Sequence, residues 1–178
     1  MSKTDLFRQM ATYNQWINGR FYEASGRLDA DELARDRGAF FGSILGTLNH
    51  IVVGDTLWLK RFATHPSGAE TLRAVAALPD PASLDQILFE DFGALHEHRR
   101  WLDDQIIEWA DGLSETDVDQ VLAYRNSKGK PFNKRLSHLI LHFFNHQTHH
   151  RGQVSTLLSQ AGEDVGVTDL VALIPDES

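Results

Sequence analysis

The chain has 178 residues, 42% hydrophobic and 24% charged, which is the make-up of a single globular domain with a sizeable core. No cysteine is present, so disulfides and thiolate metal ligands are excluded, and any metal must be held by histidine or carboxylate. A formal net charge of -8, with its basic residues scattered in short groups, argues against binding to nucleic-acid phosphates.

The opening Met1-Ser2-Lys3-Thr4-Asp5 lacks the charged-then-apolar order of a signal peptide. No apolar run approaches the roughly 20 residues of a membrane span. Both features fit a cytoplasmic protein. A first helix is predicted from Lys3 to Ser25, where Leu6, Met10, Tyr13, Ile17 and Phe21 follow helical spacing and Gly26 supplies a stop. A polar loop through Asp29–Gly42 leads to a second helix over Ser43–Ala63, closed by His65-Pro66.

This second helix carries two apolar stripes. Ile44, Leu48, Ile51, Val52, Leu59 and Phe62 form one; Gly46, His50, Val53 and Leu57 form the other. A helix apolar on two sides is buried between neighbours or lies at a subunit interface. His50 sits on the second stripe beside small Gly46 and Gly54, where another helix or an ion could come close. After Pro79-Asp80-Pro81 the spacing of Leu84, Leu88, Leu95, Leu102 and Trp109 predicts a third helix over Ser83–Trp109. Val118–Arg125, followed by Asn126-Ser127-Lys128-Gly129-Lys130-Pro131, reads as a small hairpin or extended loop. The fourth helix is predicted over Asn133–Gln160, ending at Gly162 as a left-handed cap, and Val167–Leu173 as one short helix before Pro175. The pattern is all-α, an up-down four-helix bundle forming one domain over residues 1–178.

The fourth helix carries His138, His142, His146 and His150 at every fourth residue. Each such step climbs about 6 Å and turns about 40°, so one ion reaches an adjacent pair and not the whole row. Leu136, Leu139, Phe143, Val154, Leu157 and Ala161 define the apolar arc. His150 lies inside it and His146 just beyond its edge, so the 146/150 pair is the one that looks into the bundle. A helical histidine on its own reads as a surface or hydrogen-bonded residue, and His65, His96, His138 and His149 are assigned so; His98 reads as a hydrogen-bonded core or edge residue. Two inward histidines at i,i+4 are a different matter, since both imidazoles reach one cation at roughly 2.0–2.1 Å. His50 is the best third ligand; Asp55 lies about 140° around the helix from it and is less apt.

His146-Gln147-Thr148-His149-His150 matches the metalloprotease pattern H-E-x-x-H with Gln in place of the general base. A neutral amide accepts no proton at working pH, which disfavours peptide hydrolysis by that route. Three histidines with an open position describe a catalytic-type centre for Zn²⁺, Ni²⁺, Fe²⁺ or Mn²⁺.

With these residues in place the chain resembles the DinB-like family, grouped with YfiT-like metal-dependent hydrolases. The resemblance is carried by Tyr13-Asn14-Gln15-Trp16, by Leu48-Asn49-His50-Ile51 with Trp58, and by Asn145-His146 through His150-Arg151-Gly152-Gln153. It implies an up-down-down-up four-helix bundle, often a homodimer, with a divalent metal on His50, His146 and His150. It also places His142 beside the site, with Asn145 and Gln153 as candidate acceptors for the ligands' second ring nitrogens. Some relatives resemble S-transferases and isomerases that use a low-molecular-weight thiol.

Three readings follow: a metal-dependent enzyme acting on a small electrophilic substrate, thiol transferase-like or hydrolase-like; a metal-binding stress-response module without turnover; and a structural dimer with hydrogen-bonded histidines. Arg151 reads as a helix-surface salt bridge in preference to an anionic-substrate contact. Neither nucleic acid nor a membrane is expected as a partner.

Overall fold

The computed structural model describes residues 1–176. Its long helices are α1 (Lys3–Ser25), α3 (Ile44–Phe62), α5 (Phe92–Gly112) and α7 (Leu136–Gln160). The short helices α2 (Ala30–Ala34), α4 (Arg73–Ala76) and α6 (Glu115–Val118) lie in the connections. An antiparallel hairpin, β1 (Val121–Arg125) with β2 (Pro131–Arg135), precedes α7, and a 3-10 turn spans Leu170–Leu173.

The ends of the long helices have chemical causes. Ser2 and Asp5 form a capping box at the start of α1: the Ser2 hydroxyl accepts from Asp5 N at 3.1 Å, and the Asp5 carboxylate accepts from Ser2 N at 3.0 Å. Ser43 caps α3 by accepting from Gly46 N at 2.9 Å. Such caps contribute about 1 kcal/mol each. Beyond the last turn of α7, Gly162 takes φ +85°, and Glu163 N reaches back to the Leu158 carbonyl at 2.9 Å.

Side-chain contacts fix the direction of each long helix. The C-terminal end of α1 meets the start of α5 through Tyr22 and Phe92, and its N-terminal end meets the far end of α5 through Arg8 and the Asp111 and Leu113 carbonyls. These two helices are antiparallel. Along α3 and α7 the pairs are His50 with His150, Gly54 with His146 and Trp58 with His142, also antiparallel. α3 and α5 run together, from Asp55–Arg99 to the Phe62–Trp109 stack at 4.8 Å. Thus α1 and α7 point one way, α3 and α5 the other.

α3 is the most enclosed helix. Ile44, Leu48, Ile51, Val52, Val53, Leu59 and Phe62 are all buried, each contributing roughly 1.5–3 kcal/mol through removal from water. The first of its apolar stripes is covered within one chain; on the second, Gly46, His50 and Val53 are buried while Leu57 is half-buried.

Two helices start later than their spacing predicts. α5 begins at Phe92 and not Ser83. Residues 88 and 89 are drawn off by Asn49, whose carbonyl oxygen accepts from Leu88 N and Phe89 N at 2.9 Å each and whose amide donates to the Phe89 carbonyl at 3.0 Å. Asp91 then caps the helix on Ala94 N at 2.8 Å. α7 begins at Leu136 because Asn133, Lys134 and Arg135 pair with β1, where Tyr124 lies opposite Phe132 with rings 5.6 Å apart. The expected loop over Asp29–Gly42 contains the short α2, and Val167–Leu173 supplies the 3-10 turn.

Candidate metal centre

His50 on α3 and His146 and His150 on α7 turn their rings towards one point. One ring nitrogen from each lies within 4.8 Å of the other two, and the ring centroids are 4.4–5.2 Å apart. The Nε2 atoms of His50 and His150 are 3.2 Å apart. Two nitrogens at ~2.0–2.1 Å from one tetrahedral ion would be separated by ~3.3–3.4 Å, so the spacing fits shared coordination.

The second nitrogens decide what that short distance means. His50 Nδ1 faces the Leu84 carbonyl at 2.7 Å, and His150 Nδ1 faces the Gln153 carbonyl oxygen at 2.8 Å. A carbonyl only accepts, so each Nδ1 carries the proton and each neutral ring presents a bare lone pair at Nε2. Two lone pairs pointed at each other repel unless a cation lies between them. The donor set therefore fits a metal, with the outer hydrogen bonds that orient metal-bound imidazoles.

His146 depends on a glycine. A Cβ built on Gly54 would lie 2.7 Å from His146 Cε1, so only a bare backbone leaves room for the ring between α3 and α7. Phe41 closes another side, stacked on the His50 ring with centroids 3.7 Å apart and edge-on to His150 at 5.6 Å.

Burial lowers the pKa of His50 and His150 below the ordinary histidine value, and burial with the neighbouring rings takes His146 down to about 3. The rings are thus neutral in the fold, which is the metal-binding form. In the metal-free protein the unfolded chain protonates His146 below pH ~6.5 while the fold does not until about 3, so stability falls as pH drops through that window, and His50 and His150 act in the same direction. Urea unfolding at pH 7 and pH 5 should show a larger loss for wild type than for His146→Gln; equal losses would contradict this.

Behind the histidines lies a buried polar chain. Gln147 donates to Asp55 Oδ2 at 2.8 Å, and Arg99 pairs with that same oxygen and with Asp103 Oδ1 at 2.9 Å. Asn14 and Asn18 donate to Asp103 at 3.0 and 2.9 Å, and their carbonyl oxygens accept from Arg151. Burial pushes Asp103 up to about 6 despite the pull of Arg99. Two carboxylates are offset by two guanidiniums, and the network ties α1, α3 and α5 to the turns of α7 that carry His146 and His150.

The predicted ligands His50, His146 and His150 come together, and Gln153 takes up the expected outer role. Asn145 is exposed, and Asp55 is engaged with Arg99 and Gln147. His142 lies beside the site, its ring 5.0 Å from Trp58 and 6.1 Å from His146. Arg151 is a correction: only 3% exposed, it sits over the Tyr13 ring and bonds Asn14 and Asn18, and among the described residues it forms no surface salt bridge. His138 and His149 are exposed; His65 is buried between Ser67 and Gln120. His96 stacks on Tyr22, and His98 is half-buried against Phe89 and Trp101. Sequence reasoning missed the Asn14/Asn18 and Arg99/Asp103 pairs. Their signal was polar residues at i,i+4 spacing alongside apolar stripes.

Residues 1–177 match the sequence model of the DinB family. The chain is 23% identical over 166 residues to Protein DinB of Bacillus subtilis (strain 168), covering 93% of this chain and 92% of that protein. No solved structure matches significantly. Among the described residues, no helix is long and apolar enough to cross a membrane.

Proposed function

Since the chain belongs to the DinB family, we propose that His50, His146 and His150 hold one divalent cation and that the protein is a metal-dependent enzyme for a small electrophilic substrate. The carrying observation is the pair of bare Nε2 atoms on His50 and His150, 3.2 Å apart. Three protein ligands leave a position open, as in catalytic centres. A bound Zn²⁺, Ni²⁺, Fe²⁺ or Mn²⁺ would supply Lewis acidity there, lowering the pKa of a water or a small thiol.

The chain's own residues hold and shield that position. The Leu84 carbonyl and Gln153 fix the tautomers of His50 and His150, Gly54 admits His146, and Phe41 keeps water from the back of the His50 ring. Gln147 stands where an H-E-x-x-H enzyme has its base, yet it donates to buried Asp55. That favours transfer to or from a low-molecular-weight thiol over hydrolysis. A cytoplasmic homodimer is part of this reading.

The test is a screen of metal-loaded protein against thiols paired with electrophiles. Turnover that needs both metal and thiol, and is lost in His50→Ala, is the expected result. Silence across a broad panel would favour the second reading, a metal-binding module without turnover, which the same donor set supports.

A further inference from the structure

A cavity of about 430 Å³ opens on the hairpin side of the bundle, between the C-terminal half of α3, residues 80–84 and β1 with its turn. Three cations line it, Lys60, Arg61 and Arg125, against one carboxylate, Asp80. Lys60 spends its charge on Asp80 at 2.6 Å, and exposed Arg125 donates to the Gly129 carbonyl at 2.7 Å. Arg61 differs from both. Its guanidinium lies 4.6 Å from the Trp58 ring centre and 5.5 Å from that of Tyr124, half-buried, and no carboxylate among the described residues pairs with it.

The cavity adjoins the histidine cluster through two contacts. Leu84 lines it and gives its carbonyl to His50 Nδ1 at 2.7 Å. Trp58, which holds Arg61, packs on His142 beside His146. A guanidinium fixed between aromatic faces loses little freedom on binding and presents a planar fork that matches a carboxylate. In a chain of net charge -8, such a local excess of positive charge is a recognition feature. One guanidinium fork offers two parallel N–H donors, which pair with the two oxygens of one carboxylate group at the end of a small molecule.

We propose that this cavity is a carboxylate subsite in which Arg61 receives the acidic end of the small molecule whose reacting group lies at the histidine cluster. The subsite rests on the metal-centre reading only for the second half of that statement. It defines the substrate or thiol class as one carrying a carboxylate away from its reacting atom.

The probe is succinate, with uncharged succinamide as its isostere. In metal-free protein the Arg61 Nε–Hε resonance is expected to shift saturably with succinate, at an apparent affinity at least ~10-fold above that for succinamide. Arg61→Gln should erase the preference, and Arg61→Lys should keep part of it. Equal responses to the two probes in wild type, or an undiminished preference in a folded Arg61→Gln protein, would overturn the subsite; the wild-type comparison stands even if the variants fail to fold. Metal content of the same preparations separates the two ideas. Succinate preference without metal retention removes the metal centre and leaves the subsite; metal retention without succinate preference does the reverse.

Discussion

Truncating Arg99 to alanine is expected to cost about 3–5 kcal/mol of folding stability. Its guanidinium is 1% exposed and lies between Asp55 and Asp103, both buried. Burial alone would lower its pKa, but the two carboxylates more than offset that and hold it above the usual arginine value. Without it, Asp55 and Asp103 remain in the interior with too little positive charge. The double variant Arg99→Ala, Asp103→Ala should then be less damaging than the sum of the single ones, by roughly 0.5–3 kcal/mol. Chemical denaturation of the four proteins checks this. Additive effects, or a single-variant loss below about 1 kcal/mol, would show that the network is held by something other than these charges.

Gly54→Ala is expected to weaken metal binding while leaving the fold intact. Glycine inside a helix is less favourable than alanine by roughly 0.5–1 kcal/mol, so on backbone grounds the variant should be no less stable. The new Cβ would stand 2.7 Å from His146 Cε1, however, and the ring must swing out of the cluster. Loss of one of three ligand positions should weaken metal binding by about 10–100-fold or more, the range seen when mere outer partners are removed being a lower guide. Competitive metal titration beside thermal melts reads both quantities. Unchanged affinity in a folded Gly54→Ala protein would mean that His146 does not bind where its ring now lies.

The histidine cluster was legible because helical geometry makes it so. His146 and His150 follow one another by four residues, which puts them on one side of α7, and the stripe formed by Leu139, Phe143 and Val154 turns that side inward. His50 was legible from its place on an apolar stripe beside Gly54. Arg151 was not, because its destination is set by Asn14 and Asn18 on α1, more than 130 residues away, and a charged residue in the interior of a helix carries no local signal of burial. The start of α5 was misread for a similar reason. Leu84 and Leu88 keep helical spacing, but the Asn49 amide captures the backbone of Leu88 and Phe89, and the Leu84 carbonyl is engaged by His50. At α7, pairing of Asn133–Arg135 with β1 outweighs the helical continuation that the sequence pattern allows. In each case a long-range polar or strand contact overrides a local period.

Metal analysis of protein purified without a histidine tag measures whether His50, His146 and His150 share a cation. Wild type should hold about one divalent ion per chain after metal exposure and removal of excess, and a folded His146→Ala, His150→Ala variant almost none. Equally little metal in the two proteins would contradict it.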